Sequence, residues 1–274
     1  MTASRLASRC TDAYIDLRGA RLRYRNEGGG PAILFIHGWT LDLDVWEWQA
    51  QALCGTYRVV RYDRRGFGRS TGSPSISDDV QDALCLLQHL RLTQVAAVGM
   101  SQGVRVALGL ASARPGLVSR LVLDGAPRHS DIDGAQPQND LPMEQFCAVA
   151  QQMGMPAFLK AWANHELMRL KTENPEAAQL LHRIVSRYPG RDLLEPRKAE
   201  APAPIDLSAI RQDSLVLNGE FDTAQRRSFG RALARELPAA RYTLIPGAGH
   251  LANLDNPRAY NDLLREFLSA AKRV

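Results

Sequence analysis

Short, almost wholly apolar runs alternate with longer stretches of helical periodicity in the first half of this sequence. The run Ala32–Ile36 is apolar at every position, which is typical of a strand covered by helices on both faces. The alternation predicts an α/β fold with a mostly parallel central sheet flanked by helices. The predicted strands are 14–17, 22–25, 32–37, 58–62, 95–99, 120–124, 214–217 and 242–245, and the predicted helices among them are 45–53, 78–90, 104–113, 226–237 and 257–271.

The rhythm of the sequence changes between Pro127 and about Pro204. Strand-like runs are missing there, and the segments 143–153, 157–170 and 175–188 repeat apolar residues at helical spacing. A stretch rich in Pro and Ala, 195–204, resembles a linker. With 274 residues, the chain is long enough for one core with an insertion. We therefore predict an α/β core formed by 1–126 and 205–274, with a helical cap inserted at 127–204.

The composition gives no sign of a nucleic-acid, membrane or metal partner. The formal net charge is +5, but Lys and Arg are interleaved with acidic residues along the whole chain. Cys10, Cys54, Cys85 and Cys147 lack metal-ligand spacing, so we predict reduced thiols. Neither a signal peptide nor a membrane-spanning stretch is apparent. We expect a soluble, cytoplasmic protein that needs neither a metal nor an organic cofactor.

The segment Gly99-Met100-Ser101-Gln102-Gly103 lies where a predicted strand meets a predicted helix. A G-x-S-x-G at such a junction is typical of a nucleophile elbow, a strained turn that exposes the serine hydroxyl. Ser101 is therefore the predicted nucleophile. The backbone N–H of Gln102 would lie at a helix N-terminus, where it can donate to the oxyanion that forms on the attacked carbonyl.

Two further glycine-rich loops follow predicted strands. Enzymes with a nucleophile elbow take a second oxyanion donor from the loop after an earlier strand of the sheet. In this chain that strand is 32–37, and the donor would be the N–H of Trp39. A histidine at the end of a buried strand more often fixes its loop by hydrogen bonds, so His37 is interpreted as structural. His250 follows the last predicted strand. It is the predicted general base, because imidazole can accept the serine proton near neutral pH.

Two aspartates compete for the role of the acid that orients His250. Enzymes with a nucleophile elbow carry this acid between the serine and the histidine in chain order. Asp222 stands on the loop after the next-to-last strand, and Asp124 ends the apolar run Leu121-Val122-Leu123. The loop position favours Asp222, with Asp124 as the alternative.

Together these motifs resemble the α/β-hydrolase superfamily, particularly its small bacterial carboxylesterases and enol-lactonase-like members. The resemblance runs from about Tyr14 to Phe267 outside the cap. It includes the turn after the fourth strand and the segment after His250. Many relatives have His before the nucleophile and Met-Gly-Gly after it. In this chain the turn is Tyr62-Asp63-Arg64-Arg65-Gly66-Phe67-Gly68-Arg69-Ser70, and the segment after His250 is Asp255-Asn256-Pro257. The chain departs from those relatives at the nucleophile, with Met100 before it and Gln102-Gly103-Val104 after it.

The resemblance implies hydrolysis of a small carboxylic ester or lactone through an acyl-enzyme intermediate. Two alternatives stay open. Carbon–carbon bond hydrolysis of a dienone acid from aromatic breakdown would need a basic group for the substrate carboxylate, such as Arg105 or Arg128. Cofactor-free oxygenation and a receptor role are also hosted by this fold.

Aromatic and sulfur-containing side chains of the cap are candidates for the substrate pocket. They are Phe146, Phe158 and Trp162, with Met153, Met155 and Met168 as further candidates. At helical spacing such residues are also typical of a hydrophobic core.

Overall fold

A computed structural model describes residues 11–127, 141–195 and 204–270. Its strands are β1 (Ala13–Leu17), β2 (Ala20–Glu27), β3 (Ala32–Ile36), β4 (Arg58–Tyr62), β5 (Val95–Met100), β6 (Val118–Asp124), β7 (Asp213–Gly219) and β8 (Ala240–Ile245). They form one sheet in the order β1-β2-β4-β3-β5-β6-β7-β8. The two pairings of β2 are antiparallel, and the pairings from β4 to β8 are parallel. The predicted fold class is confirmed.

The helices cover both faces of this sheet. In the described ranges they are α1 (Glu47–Leu53), α2 (Ile76–His89), α3 (Gln102–Ala113), α4 (Met143–Met153), α5 (Met155–Ala163), α6 (Pro175–Val185), α7 (Arg191–Leu194), α8 (Ala224–Glu236), α9 (Ala252–Asp255) and α10 (Pro257–Ser269). Within those ranges, none of them has both the length and the apolar character that a membrane span requires.

The sheet separates two apolar cores, because successive side chains of a strand point to opposite faces. Ile33 and Phe35 of β3 belong to the core that packs against α1, α9 and α10. Leu34 and Ile36 belong to the core that packs against α2, α3 and α8. Every residue of β3 is buried, as the uniformly apolar run predicts.

The helix predicted at 157–170 is wrong in its second half. The structure ends α5 at Ala163 and continues with a 3₁₀ turn, Glu166–Met168. Asn164 Nδ2 donates to the carbonyl of Lys160, and His165 Nδ1 accepts from the N–H of Leu167. Such side chain–backbone bonds compete with the helical ladder, which explains why the helix stops there. Most of the predicted linker 195–204 lies outside the described residues.

The chain between β6 and β7 contributes α4 to α7, called the helical segment below. Two tryptophans join it to the loop after β3. Trp162 Nε1 donates to Thr40 Oγ1 at 2.8 Å, and Trp39 Nε1 donates to Asp192 Oδ2 at 2.6 Å. The Arg187 guanidinium lies 2.6 Å from Asp42 Oδ2. These bonds fix the helical segment over the carboxyl ends of the central strands.

The turn between β5 and α3 depends on two glycines that let backbones approach closely. A Cβ placed at Gly99 would lie 2.5 Å from the carbonyl oxygen of Gly103. A Cβ at Gly103 would lie 2.4 Å from the carbonyl oxygen of Ile36. Both contacts are with backbone atoms, so the neighbours cannot rotate away. Ser101, which lies between these two glycines, is thereby held against β3.

Replacing Gly99 by Ala should destabilise the protein, because the added methyl group forces β5 and α3 apart. Overpacking of this kind costs about 1–3 kcal/mol of unfolding free energy. Urea denaturation of Gly99→Ala measures the effect. Gly116→Ala is the matched control, because a Cβ at Gly116 meets nothing within 4 Å. Equal stability of the two variants would contradict this account of the turn.

Candidate active site

Ser101 adopts a backbone conformation that L-residues rarely adopt. Its φ is 51° and its ψ is −118°, and it immediately precedes α3. The Ser101 N–H donates to the carbonyl of Asp124 at 2.7 Å. Strain of this kind persists only where the surroundings enforce it, and it is concentrated at functional sites. The geometry is that of the nucleophile elbow expected from the G-x-S-x-G motif.

His250 is hydrogen-bonded to Asp222 through one ring nitrogen. The distances from His250 Nδ1 to the two Asp222 carboxylate oxygens are 3.1 and 3.2 Å. Asn218 Nδ2 and the Thr223 N–H donate to the same carboxylate, each at 2.8 Å. Burial raises the pKa of Asp222, but the His250 charge and these hydrogen bonds outweigh it, and the pKa is lowered overall. An ionised Asp222 can only accept, so Nδ1 carries the hydrogen and Nε2 can take a proton.

Asp124, the alternative acid, lies in a different electrostatic environment. It is fully buried, and its contact in the described chain is with the Tyr260 hydroxyl, 3.2 Å from Oδ2. Burial, reinforced by the negative charge of Asp222, raises the pKa of Asp124 well above its usual value. Burial therefore favours the protonated form of Asp124, whereas the surroundings of Asp222 favour its ionised form. The structure joins His250 to Asp222.

Ser101 and His250 line one cavity beneath the helical segment. The space within it is about 300 Å³, part of which is open to solvent. Its other walls come from the loop after β3, from the helical segment and from the start of α8. The remaining lining residues in the described chain are Gly38, Trp39, Leu41, Met100, Leu141, Trp162, Leu167, Met168, Arg226 and Leu251.

The structure corrects part of the predicted pocket. Trp162 and Met168 line the cavity, but Phe146 and Phe158 do not. Their rings pack on Trp39, with centroids 6.0 and 5.8 Å from it, in a buried aromatic cluster. Aromatic rings that pack on one another in a buried cluster are more stable than the same rings exposed to solvent. Met153 is 70% exposed and Met155 packs against this core, so neither is part of the cavity wall.

The two predicted oxyanion donors lie on adjacent segments. A Cβ at Gly38 would be 3.2 Å from Ser101 Cβ, so the loop that carries Trp39 touches the nucleophile elbow. Gln102 is the first residue of α3. In the described chain, neither the Trp39 N–H nor the Gln102 N–H donates to a backbone or side-chain acceptor. Both donors can therefore serve a ligand oxygen.

A buried arginine holds these two segments together. Arg64 Nη1 donates to Gln102 Oε1 at 2.8 Å, and the Arg64 N–H donates to His37 Nε2 at 2.9 Å. His37 Nδ1 in turn bonds to the carbonyl of Gly38 at 2.7 Å. Burial, with the Arg64 charge, lowers the pKa of His37 to about 3. His37 is neutral and fixes its loop, and the Gln102 side chain is turned toward Arg64.

Arg226 is the residue of this site that sequence reasoning missed. It is 1% exposed, and its Nη1 lies 3.3 Å from Ser101 Oγ and 3.0 Å from the carbonyl oxygen of Gly125. The one available signal was weak. A cation in the first turn of a helix opposes the helix dipole, so the charge of this side chain does not stabilise α8.

Comparison with known proteins agrees with this architecture. Residues 33–263 match the family profile described as the alpha/beta hydrolase family. The chain belongs to this family. Its similarity to relatives with hydrolase names supports a hydrolase activity.

Three of these relatives cover nearly the whole chain. One is the "Putative carbamate hydrolase RutD" of Caulobacter sp. (strain K31), 28% identical over 90% of this chain and 95% of that protein. A thermophilic esterase from Thermogutta terrifontis is 25% identical, with a TM-score of 0.79 over 94% of this chain and 98% of that one. The enol-lactonase from Burkholderia xenovorans LB400 has a TM-score of 0.80 over 94% of this chain and 100% of that one; at 24% identity it shares the fold.

The two aspartates should respond differently to the same substitution. Asp222→Asn removes the charge that orients and stabilises the imidazole, and turnover should fall by about three to four orders of magnitude, as in a protease triad. Asp124→Asn replaces the buried carboxyl by an amide of similar shape and leaves the bond between His250 and Asp222 in place, so it should change turnover less than about tenfold. Measuring the turnover of both variants with the same ester shows which aspartate is the orienting acid. A severe loss at Asp124 with normal turnover at Asp222 would reverse the assignment.

Asp124→Asn should also make the protein more stable as the pH rises. The unfolded state ionises Asp124 above its usual pKa, while the folded state holds the proton to a higher pH, so wild-type stability is lost as the pH rises above that usual value. Asparagine removes this loss. The stability difference between variant and wild type should therefore increase as the pH rises above the usual aspartate pKa of about 3.9, by at most about 1.4 kcal/mol per pH unit. Parallel stability curves from urea titrations would show that Asp124 is ionised in the folded protein.

Proposed function

We propose that this protein is a serine hydrolase that cleaves a carboxylic ester or lactone. Ser101 Oγ attacks the carbonyl carbon while His250 Nε2 takes the hydroxyl proton, and the N–H groups of Trp39 and Gln102 stabilise the oxyanion. The imidazolium then gives its proton to the leaving alkoxide, which leaves an acyl group on Ser101. A water molecule, deprotonated by His250, attacks the acyl carbon and releases the acid.

One observation carries this proposal. A serine in a strained turn at a helix N-terminus shares a cavity with a histidine whose far nitrogen is bonded to a buried carboxylate. Each group suits one step: exposure of the hydroxyl, acceptance of its proton, and stabilisation of the imidazolium. The esterase name of the relative from Thermogutta terrifontis supports the same chemistry.

We also propose that residues 127–204 act as a cap over a core formed by 1–126 and 205–274. This is supported by Trp162, Leu167 and Met168, residues of the described part of this segment, which line the same cavity as Ser101. Its contacts with the loop after β3 close the space around the nucleophile. A cap of this kind excludes water from the reaction and limits the size of the substrate.

The name of the Caulobacter relative introduces carbamates as a second substrate class. A carbamate also presents a carbonyl carbon to the serine, and the same oxyanion donors and base would serve its cleavage. The alternative of dienone-acid hydrolysis has less support. Arg105 is not part of the cavity wall, and Arg128 lies outside the described residues.

Ser101→Ala should abolish turnover, since the triad loses its nucleophile. The expected loss is on the order of a millionfold, as found for another serine hydrolase. The measurement is hydrolysis of p-nitrophenyl esters, lactones and an aryl carbamate, with labelling by a fluorophosphonate probe. Ser186→Ala is the control for general effects, because Ser186 is an exposed residue that directly follows α6. If Ser101→Ala keeps a tenth of the activity, Ser101 is not the nucleophile.

A further inference from the structure

Thr40 has a backbone conformation that its local sequence does not explain. Its φ is 62°, and in the described chain Arg91 and Ser101 are the other non-glycine residues with a positive φ. Arg91 follows the residue that caps the end of α2, where this conformation is common, and Ser101 forms the elbow. Thr40 lies in a turn, where a φ of this sign favours glycine and is rarely adopted by a β-branched residue. Contacts from outside the turn must therefore hold it.

The Thr40 hydroxyl provides what a glycine at this position would lack, an acceptor for a buried donor. Trp162 Nε1 donates to Thr40 Oγ1 at 2.8 Å, and Thr40 and Trp162 are 1% and 3% exposed. Because both side chains are buried, water cannot readily replace either partner of this bond. Trp162 belongs to α5, so the contact that holds the strained residue comes from the helical segment.

Trp39, which precedes Thr40 and carries the proposed oxyanion donor, is held by the same segment. Its indole N–H donates to Asp192, and its ring contacts four aromatic rings of the helical segment, with centroids 4.8 to 6.1 Å away. In the part of the chain that the structure describes, the N–H groups of Trp39 and Thr40 donate to no backbone carbonyl. Beyond Gly38, whose carbonyl is bonded to His37, side chains of the helical segment therefore fix this loop.

We propose that the hydrogen bond between Trp162 and Thr40 positions the Trp39 N–H for oxyanion stabilisation, which makes Thr40 and Trp162 positioning residues. This inference rests on the proposed function. Without the bond, Thr40 can relax to a negative φ, and the turn that contains Trp39 changes its path. A misplacement of about 1 Å in a catalytic site can lower the rate by about a hundredfold. The helical segment thus takes part in the chemistry that it covers.

A matched pair of ligands isolates the oxyanion. Ser101 Oγ adds to the carbonyl carbon of 1,1,1-trifluoropentan-2-one, the hydroxyl proton passes to His250, and the C=O electron pair moves to the oxygen, which becomes an oxyanion. The alcohol 1,1,1-trifluoropentan-2-ol has the same carbon chain but cannot form this adduct. Both inhibition constants are measured against hydrolysis of p-nitrophenyl butyrate, whose acyl chain is the same. Their ratio reports oxyanion stabilisation separately from general changes of the cavity.

Thr40→Val removes the hydroxyl and keeps the β-branched shape. We expect it to weaken inhibition by the ketone by about tenfold to a hundredfold, and to change inhibition by the alcohol less than about twofold. The kcat/KM for p-nitrophenyl butyrate should fall by the same factor as the ketone inhibition. Thr40→Ser keeps an acceptor hydroxyl and should restore both values to within about threefold of wild type. Thr93→Val is the control for a lost threonine hydroxyl, because Thr93 is exposed, and it should change neither value.

Trp162→Phe removes the same hydrogen bond from the other side, so the two substitutions should not be additive. In the Phe variant, adding Thr40→Val should weaken ketone inhibition by less than about threefold. Trp162→Phe also changes the cavity wall, and the alcohol reports that change separately. If Thr40→Val does not fold, Trp162→Phe alone provides the test: its inhibition by the ketone should weaken about tenfold more than its inhibition by the alcohol.

Several results would overturn the positioning role and leave the hydrolase proposal intact. They are a ketone-to-alcohol ratio that Thr40→Val leaves at the wild-type value, an equal loss of inhibition by ketone and alcohol, and fully additive losses in the double variant. A different result would refute the proposed function itself: a wild-type enzyme that binds the ketone no more tightly than the alcohol, with Ser101 unreactive toward a fluorophosphonate.

Discussion

The close approach of three backbones around Ser101 is the constraint on which the rest of the site depends. Gly99 and Gly103 have no side chain, so β5 and α3 can meet at a sharp turn and α3 can lie against the end of β3. The turn forces Ser101 to a positive φ. It also places the first N–H of α3 beside the loop that carries Trp39. Glycine loses more backbone conformational entropy on folding than other residues do. The apolar area that the covering helices bury on both faces of the sheet offsets this loss.

Buried charge gives the site its chemical asymmetry. Asp124 ends β6, and Asp222 lies on the loop after the neighbouring strand β7. Burial raises the pKa of Asp124, whereas at Asp222 the His250 charge and hydrogen bonds outweigh burial and lower the pKa. A second ionised carboxylate would compete for the imidazole and would be costly in the dry interior. Asp124 instead supports the elbow through its backbone carbonyl, which accepts from the Ser101 N–H. In the described chain, the Asp222 carboxylate lies behind His250 and the Arg226 guanidinium lies beside Ser101.

Local sequence signals predicted the sheet, the elbow and the pairing of His250 with Asp222. A uniformly apolar run such as that of β3 reports burial directly, and the elbow needs glycines at fixed spacing. Features that depend on packing were out of reach. Phe146 and Phe158 looked like pocket residues, because helical spacing cannot distinguish an aromatic core from a cavity wall. The place of Arg226 depends on how α8 leaves the sheet, and the raised pKa of Asp124 depends on burial by distant segments.

The central claim is that Ser101 forms a covalent acyl intermediate. Mixing the enzyme with excess p-nitrophenyl acetate and quenching in acid within milliseconds traps whatever intermediate accumulates, and mass spectrometry of the digested protein locates it. Asp222→Asn, which keeps the nucleophile but weakens the base needed for deacylation, gives a second sample in which the intermediate should persist. The account predicts an added acetyl group on the peptide that contains Ser101, with an initial burst of p-nitrophenol equal to the amount of acetylated enzyme. An acetyl group on another residue, with the Ser101 peptide unmodified in both samples, would contradict it.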